Sequence, residues 1–342
     1  MPTLTAPASN SVPVDGERKY DLSVVIVSYN TRDVLDRCFR HLKEASGGLT
    51  LEIIVVDNGS GDGSVAMIEA NHPDIRVIRS EVNLGFGVAN NRALSLASGR
   101  YFILLNSDAF LRPDALRRAV ELMDANPRAG FGGGRLIGPE ESWQPSARSF
   151  PSLLNDFLSL SGLAARFPNS RFFGRGDRTW SDAGRPAEVD WVPGAFAIVR
   201  PDALAAAGSF DESFFLYYEE VDLCRRIKAL GYRILYWPDV VIVHLGGESS
   251  RTTGQRISRA GSQLTLWRLR SRLIYYRKHH GARAYPAYLM ELLWHRARWF
   301  RNSFGAGGER REKATESLTI CVDAKRAWKE TRGGRVSPPR PW

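Results

Sequence analysis

Three carboxylates, Glu219, Glu220 and Asp222, stand at the predicted start of a helix. Crowding of like charges raises the pKa of at least one of them, and a carboxylate with a raised pKa suits a general base. The positive end of the helix offsets part of their repulsion. The simpler alternative is that an acidic first turn only caps the helix and keeps the surface soluble.

An aromatic segment precedes these carboxylates and is unusual for a plain surface turn. It covers residues 210–218, reads FDESFFLYY and ends at Tyr218. Aromatic side chains stack on sugars and form the walls of ligand pockets. The pattern therefore favours a pocket with a general base in its wall.

Two other side chains have the chemistry of metal ligands. Asp108 lies just after the apolar run 101–105, beside Asn106, and His244 lies just after the apolar run 240–243. A carboxylate and a neutral imidazole at strand ends suit Mg²⁺ or Mn²⁺, which also binds diphosphate oxygens. Taken singly, Asn-Ser-Asp is ordinary turn chemistry and a lone histidine is more often structural.

Short apolar, β-branched runs alternate with helical patterns through the N-terminal part of the chain. The predicted strands are 22–29, 51–56, 75–78 and 101–105, and the predicted helices are 31–45, 62–70, 85–97 and 113–125. This alternation predicts a mostly parallel sheet with helices on both faces. Ligands bind such sheets beyond the carboxyl ends of the strands, where polar clusters stand at 28–30, 57–60 and 106–108.

The rest of the chain is less regular. We expect a long excursion over 138–190 with one short helix at 152–160, a strand at 191–199 and a helix at 219–230. Two short strands follow at 232–237 and 240–243. Amphipathic helices are predicted at 256–280, 285–304 and near 311–329.

Composition excludes several classes of protein. The 342 residues are 43% hydrophobic and 25% charged, which is too apolar for wholesale disorder. No apolar run is long enough for a membrane-spanning helix. The chain lacks GxGxxG after its first strand and lacks GxxxxGK[ST], so a dinucleotide site and a P-loop are unsupported. Its three scattered cysteines suggest a reducing compartment.

Positive charge is concentrated at the C-terminal end. The formal net charge is +10, yet residues 251–342 contain 21 Lys or Arg against 6 Asp or Glu, a local excess of 15. Five of the nine tryptophans lie there too. Interleaved basic and aromatic residues suit an anionic membrane surface, which we place slightly ahead of an ordinary solvated helix face. Nucleic-acid binding is much less favoured than either of these two interpretations, and we do not expect it.

Together these motifs resemble the inverting GT-A glycosyltransferases of family two, especially bacterial rhamnosyltransferase-like members. The resemblance covers about residues 22–247 and rests on the order and spacing of SVVIVSYN, IIVVDNGSGDGS, NLGFGVANNRAL, LLNSD, PGAFAIVR, FDESFFLYYEEVDLCRRIKALGY and VHLGG. It implies an α/β, Rossmann-like GT-A fold, mostly parallel with helices on both faces, followed by a C-terminal helical extension.

The resemblance also implies which residues bind the donor. Asp57 would hydrogen-bond a pyrimidine imide, favouring UDP- or dTDP-sugars. The other donor-site residues implied are Ser28, Tyr29, Asn30, Asn83, Gly85, Phe86, Asn106, Ser107 and Asp108. Asp108 matches the metal-binding aspartate of the DxD motif, whereas Asn106 replaces the first carboxylate of that motif. His244 matches a histidine that some relatives use as a metal ligand.

On the acceptor side, Glu220 matches the general base of the family, with Glu219 as the alternative for that role. Asp222 and Arg225 would orient the acidic cluster and the acceptor. Acceptor contacts are assigned to Trp191, Gly194, Tyr218 and Arg225.

The resulting functional prediction is inverting, metal-dependent sugar transfer in bacterial cell-surface polysaccharide synthesis. The sugar preferred from the resemblance is L-rhamnose from dTDP-rhamnose, and the acceptor is a saccharide or a polyprenyl-diphosphate-linked saccharide. Transfer from a UDP-sugar carrying galactofuranose, glucose or N-acetylglucosamine remains open, as does a non-catalytic nucleotide-sugar-binding or scaffold protein.

The predicted organisation has four parts. A flexible leader (1–20) precedes a catalytic domain (21–250) with a donor half (21–137) and an acceptor half (138–250). A basic, aromatic-rich helical region (251–331) and a loose tail (332–342) follow. We expect a cytoplasmic protein at the inner face of the cell membrane, in peripheral contact through the C-terminal region. Homo-oligomer formation is left open.

Overall fold

The computed structural model describes residues 18–246, 263–304 and 307–338. The predicted leader up to residue 17, the first residues of the basic region (251–262) and the end of the tail lie outside the described residues. The strands are β1 (Tyr20–Ser28), β2 (Leu51–Asp57), β3 (Arg76–Arg79), β4 (Gly99–Asn106), β5 (Ala109–Leu111), β6 (Ala129–Ile137), β7 (Trp143–Gln144), β8 (Ala187–Val189), β9 (Phe196–Val199) and β10 (Arg233–His244).

Helices flank the strands and form the C-terminal region. They are α1 (Arg32–Ala45), α2 (Ser64–Asn71), α3 (Phe86–Leu94), α4 (Ala115–Asp124), α5 (Leu153–Leu160), α6 (Leu163–Arg166), α7 (Pro201–Ala207), α8 (Glu219–Ala229), α9 (Gln263–His280), α10 (Ala284–Ser303) and α11 (Gly308–Glu330). Each helix predicted before residue 130 is present, with bounds shifted by a few residues.

The strands form one mixed sheet in the order β3-β2-β1-β4-β9-β6-β10-β5, with β7 on β6 and β8 on β10. The first four strands are parallel, as the alternating pattern predicts. Their register pairs Ser28 with Asp57, and Val27 with Asn106. The polar clusters at 28–30, 57–60 and 106–108 therefore meet at one edge of the sheet. The predicted combination of a GT-A sheet with a C-terminal helical extension is confirmed.

Strand β6 was not predicted, because its sequence AGFGGGRLI interrupts the apolar pattern with glycines. The structure explains them by close packing. A Cβ at Gly132 would lie 2.0 Å from the Trp237 ring, and one at Gly133 would lie 2.6 Å from the Val192 side chain. Larger residues here would push the central strand away from its neighbours. The glycines thus permit close packing of β6 rather than marking a loop.

The two short strands predicted at 232–237 and 240–243 are a single strand, β10. Its pairing with β6 shifts register between Trp237 and Val241, around Pro238. Proline cannot donate a ladder hydrogen bond, so the sequence pattern breaks there while the strand continues. The strand predicted at 191–199 is shorter and begins at Phe196.

The C-terminal helices pack against the catalytic part of the chain. On α9, Ile274 and Tyr275 are buried in one cluster with Phe214 and Val221. Arg272 is also buried, and forms ion pairs with Asp156 of α5 and with Glu291 of α10. Among the described residues, no helix combines the length and apolar character that crossing a membrane requires.

Asp222 of α8 links this helix to α9 through ion pairs. Its fully buried carboxylate is 2.8 Å from the Lys278 ammonium and 2.6 Å from His279 Nε2, both on α9, and 2.8 Å from Arg226 Nε. Burial alone would raise the pKa of Asp222. The hydrogen bond with His279 and the charges of Arg226 and Lys278 outweigh burial and hold the pKa at about 2.

We expect Asp222→Asn to lower the free energy of unfolding by about 2–3 kcal/mol, because the variant removes the buried negative charge that the partly exposed side chains of Arg226, Lys278 and His279 share. Because the folded-state pKa lies below the ordinary 3.8, the stabilisation by Asp222 is present above that value and is lost as pH falls toward about 2. Urea unfolding between pH 7 and pH 3 measures both effects. Equal stability of the variant and the parent at neutral pH would contradict this stabilising role of Asp222.

Candidate active site

The donor edge of the sheet contains a buried carboxylate with one oxygen available to a ligand. Asp57 is only 4% exposed at the end of β2. Its Oδ2 accepts the Ser60 backbone N–H at 3.1 Å, whereas its Oδ1 is buried without a hydrogen-bond partner among the described residues. A buried acceptor left without a donor is costly unless a ligand supplies one. An imide N–H would satisfy this atom.

The neighbouring donor-site residues shape the loops around Asp57. Asn30 adopts a left-handed backbone conformation with φ 52°. Its Oδ1 accepts the Gly61 N–H at 2.8 Å, and its own N–H donates to Ser60 Oγ at 2.9 Å. Ser28 is buried and its hydroxyl lies 3.0 Å from Thr31 Oγ1. Tyr29 is half-buried between them.

Asn58 belongs to the predicted polar cluster 57–60, but no individual role was assigned to it. Its side chain is buried; Nδ2 donates to Asn83 Oδ1 at 2.8 Å and Oδ1 accepts the Leu84 N–H at 2.8 Å. It therefore fixes the loop that carries Asn83 and Gly85. The position just after a buried parallel strand was the available signal.

This loop touches the segment that leads to the acidic helix. The Phe86 N–H donates to the Phe215 carbonyl at 3.0 Å. Gly85 has φ 83°, and a Cβ there would stand 2.2 Å from that same carbonyl oxygen. Only glycine allows this approach. The Phe86 ring in turn packs over Gly194, so the donor side and the acceptor side are in contact.

Asp108 and His244, separated by more than a hundred residues, meet at the edge of the sheet. His244 Nε2 lies 3.5 Å from Asp108 Oδ1 and 3.3 Å from Asn106 Nδ2. Ser107, between the other two, is 3% exposed. The described residues contain no group of three or more His, Cys, Asp or Glu arranged for a metal ion. Protein ligands alone would therefore give an incomplete shell, which diphosphate oxygens and water could fill.

Strained backbone immediately precedes the acidic helix. Tyr217 and Tyr218 both have φ 70°, an uncommon conformation for bulky residues. Such strain concentrates at functional sites, where the surrounding structure enforces it. Here it places Glu219 in a buried position and leaves Glu220 partly exposed, at the first two positions of α8.

The two glutamates differ in their ability to hold a proton. Burial, followed by the charge of Glu220, raises the pKa of Glu219 well above its ordinary value. Burial also raises the pKa of Glu220, but the Arg148 charge and the Gly194 backbone N–H oppose that rise. The Arg148 charge and the Gly194 N–H would both stabilise an ionised Glu220, which favours Glu220 over Glu219 as the base.

Several residues assigned to catalysis or to the acceptor are held by protein contacts. Asp222 faces α9 through the ion pairs described above, which favours an anchoring role. Arg225 donates to Tyr275 Oη at 3.0 Å and lies 3.2 Å from His280 Nε2.

Trp191 Nε1 donates to the Ser149 carbonyl at 3.0 Å, and the Arg148 guanidinium lies over the Trp191 ring.

Comparisons with known proteins identify the family of the chain. The family model "Glycosyl transferase family 2" matches residues 23–183. An N-acetylglucosaminyl-diphospho-decaprenol L-rhamnosyltransferase of Mycobacterium tuberculosis is 30% identical over 241 residues, covering 65% of this chain and 75% of the relative. The chain belongs to glycosyltransferase family 2. Rhamnosyltransferase WbbL of Escherichia coli is 26% identical to this family member, covering 67% of the chain and 85% of WbbL.

Solved structures show the same fold. The mannosyltransferase PcManGT of Pyrobaculum calidifontis, in complex with GDP-Man and Mn²⁺, has a TM-score of 0.56 at 16% identity, covering 91% of this glycosyltransferase and 88% of that chain. GalNAc-T7 with UDP, GalNAc and Mn²⁺ has a TM-score of 0.52 at 14% identity, and the match covers 93% of this chain and 57% of the GalNAc-T7 chain. At these identities the likeness concerns the GT-A fold alone.

We expect Glu220→Gln to reduce sugar transfer by about 100-fold or more, because an amide cannot take the acceptor proton. Donor binding should stay unchanged. Since the pKa of Glu220 is raised, activity of the parent enzyme should fall on the acid side at a pH above the ordinary glutamate range. Glu219→Gln is the matched control and should lose less activity. Turnover and pH profiles measure this, and near-parental transfer by Glu220→Gln would remove the residue from the role.

Proposed function

We propose that this glycosyltransferase transfers L-rhamnose from dTDP-rhamnose to a saccharide carried on a lipid diphosphate. The sugar and acceptor are supported by the two relatives named as rhamnosyltransferases, one of which is named for an N-acetylglucosaminyl-diphospho-decaprenol acceptor. The structural observation that carries the proposal is the unpartnered, buried Oδ1 of Asp57 at the sheet edge that also holds Asp108. This oxygen can accept the imide N–H of thymine or uracil, a donor that cytosine and adenine lack.

Asp108 and His244 would hold a divalent cation. The oxygen and nitrogen donor set fits Mn²⁺ or Mg²⁺, and two adjacent ligands at the edge leave room for phosphate oxygens. When bound, the ion would neutralise charge that develops on the departing nucleoside diphosphate. Asn106 supplies no anion, so we expect moderate metal affinity without a donor present.

Glu220 takes the proton of the acceptor hydroxyl as that oxygen attacks the anomeric carbon. The new bond from oxygen to carbon forms as the bond from carbon to the diphosphate oxygen breaks, and the nucleoside diphosphate leaves with the bonding electrons. One displacement of this kind inverts the anomeric configuration. Glu219, whose pKa burial raises well above its ordinary value, stands directly beside the proposed base.

A catalytically silent nucleotide-sugar-binding protein is the second candidate. One observation favours it, namely the amide of Asn106 at the position of a metal-binding carboxylate. Glu220 argues against it, because a partly exposed carboxylate with a raised pKa is expensive to keep without a proton-transfer role. A UDP-sugar donor remains compatible with Asp57, which contacts the base and not the sugar.

The end of the hairpin between α10 and α11 has the chemistry of a membrane contact. Phe300 is 61% exposed and Phe304 is 76% exposed, with their rings 4.8 Å apart. Arg296 and Arg301 are exposed on the same helix. Aromatic residues with arginines beside them partition into an anionic headgroup region. We propose that this apolar tip brings the enzyme to its lipid-linked acceptor at the inner face of the membrane.

A thermal-shift panel of dTDP-, UDP- and GDP-sugars, with Mn²⁺ or Mg²⁺ and with chelator, tests the donor site. A ligand at 100 times its Kd adds about 2.7 kcal/mol of stability, so a true donor gives a clear shift. We expect metal-dependent shifts from pyrimidine donors only.

Asp57→Asn is the matched variant for this panel. Its amide oxygen can still accept the Ser60 N–H, while its amide nitrogen opposes the imide N–H. The pyrimidine shift should therefore disappear while the unliganded stability is retained. A GDP-sugar shift as large as the dTDP-sugar shift would contradict the pyrimidine donor, and an unchanged pyrimidine shift in Asp57→Asn would contradict the assignment of Asp57.

Vesicle sedimentation tests the apolar tip. The double variant Phe300→Ser/Phe304→Ser should bind vesicles of phosphatidylglycerol and phosphatidylcholine about tenfold more weakly or worse, since burying one phenylalanine contributes about 1.5–3 kcal/mol. Leu230→Ser is the control, because Leu230 is 52% exposed at the end of α8, far along the chain from the hairpin. Equal pelleting of all three proteins would exclude the tip as the contact.

A further inference from the structure

Gln144 makes a two-point contact with His244 from the neighbouring strand β7. Its side-chain Nε2 donates to the His244 backbone carbonyl at 2.8 Å. Its Oε1 lies 3.0 Å from His244 Nδ1. No motif pointed to Gln144 in the sequence, because it lies in the irregular segment 138–190 and far along the chain from the histidine.

These two contacts determine the tautomer of the imidazole. A carbonyl oxygen only accepts, so the amide nitrogen of Gln144 must face it and the amide oxygen must face Nδ1. Because the amide oxygen also only accepts, Nδ1 carries the hydrogen and donates it. In the neutral ring the lone pair is then on Nε2.

The opposite side of the ring agrees with this assignment. Nε2 is 3.3 Å from the amide nitrogen of Asn106, which is a donor and requires an acceptor. The same Nε2 is 3.5 Å from Asp108 Oδ1. The lone pair of the imidazole is thus presented to the carboxylate that is proposed to bind the metal.

The backbone around Gln144 is tightly constrained. β7 pairs antiparallel with β6, placing Gln144 opposite Leu136. The turn between the strands is closed by the Gly138 N–H donating to the Ser142 carbonyl at 2.7 Å. The amide of Gln144 is therefore delivered to His244 by a short, hydrogen-bonded hairpin.

We propose that Gln144 is a positioning residue for the metal site, which fixes His244 in the tautomer and ring orientation that present Nε2 to the cation. The inference rests on the proposed metal-dependent transfer and adds to it a specific supporting residue. Partners of this kind raise metal affinity by about 10–100-fold in other metal sites. The effect matters more here because Asn106 supplies no anion and the described residues contain no group of three or more His, Cys, Asp or Glu that could hold a metal ion.

Nitrogen-15 NMR of the histidine rings tests the tautomer in metal-free protein, at about pH 8 where an ordinary imidazole is neutral. The His244 signals are assigned by their loss in His244→Asn. The parent should show Nδ1 protonated and Nε2 unprotonated, and Gln144→Leu should show a mixture of tautomers. An unchanged tautomer in Gln144→Leu would overturn the proposal, whatever the effect of the substitution on Mn²⁺ affinity.

Electron paramagnetic resonance of free Mn²⁺ tests affinity, with dTDP present to supply the diphosphate. Gln144→Leu should weaken Mn²⁺ binding by about 10–100-fold. Trp143→Leu is the matched control, because Trp143 lies on the same hairpin with its side chain on the opposite face, and it should bind Mn²⁺ like the parent. Thermal unfolding of both variants checks that the hairpin remains folded.

The outcomes separate this inference from the proposed function. Mn²⁺ binding by the parent that Gln144→Leu leaves unchanged would refute the positioning role and leave metal-dependent transfer standing. Absence of Mn²⁺ binding by the parent, even with dTDP, would refute the metal site itself, and the role of Gln144 toward the metal would fall with it. Weaker binding by both Gln144→Leu and Trp143→Leu would also overturn it, since the effect would then come from the hairpin as a whole.

Discussion

The contact between Gly85 and Phe215 joins the two halves of the active site. A backbone hydrogen bond from the Phe86 N–H to the Phe215 carbonyl crosses it, and the absence of a side chain at Gly85 makes it possible. Phe215 is four residues before Glu219. The loop that carries Asn83 and Gly85 and the start of the acidic helix are therefore fixed relative to each other, which brings the proposed base close to the proposed donor site.

Burial and nearby charges also give Glu219 and Glu220 different environments. Burial raises the pKa of both carboxyl groups, and for Glu220 the Arg148 charge and the Gly194 N–H oppose that rise. The strained turn at Tyr217 and Tyr218 precedes both residues, and Glu219 is buried whereas Glu220 is half-buried. Two adjacent residues of identical chemistry therefore have different surroundings.

The sequence predicted the parallel half of the fold because each of its strands is an apolar run that ends in a polar cluster. It also predicted the C-terminal helices, but not that α9 is buried on all its faces over residues 269–276. It could not predict β6, since the glycines in this strand are explained only by Trp237 and Val192, which are distant in sequence. Individual roles for Asn58 and Gln144 were missed for the same reason, because the partners that give them a role are contributed by other segments.

The site residues also separate into those that local sequence patterns predict and those whose role depends on distant segments. The family resemblance implied that Asp108 and His244 serve one metal site, and the structure brings the two side chains to 3.5 Å. The setting of Asp222 could not be foreseen, because Lys278 and His279 come from a helix more than fifty residues later. Local patterns reveal which residues have the right chemistry. Which of them face the ligand and which face the protein depends on packing between distant segments.

The basic C-terminal region illustrates how net charge overstates the charge that a surface presents. Arg270 and Arg272 are buried in ion pairs with Glu330 and with Asp156 and Glu291, and Lys278 is committed to Asp211 and Asp222. These cations hold α9 in place beneath α8 and are not available to an anionic surface. The charge that remains for a membrane is on arginines such as Arg296 and Arg301, beside the exposed rings at the hairpin end. One region can therefore anchor the acidic helix with its inner face and still offer a lipid contact at its far end.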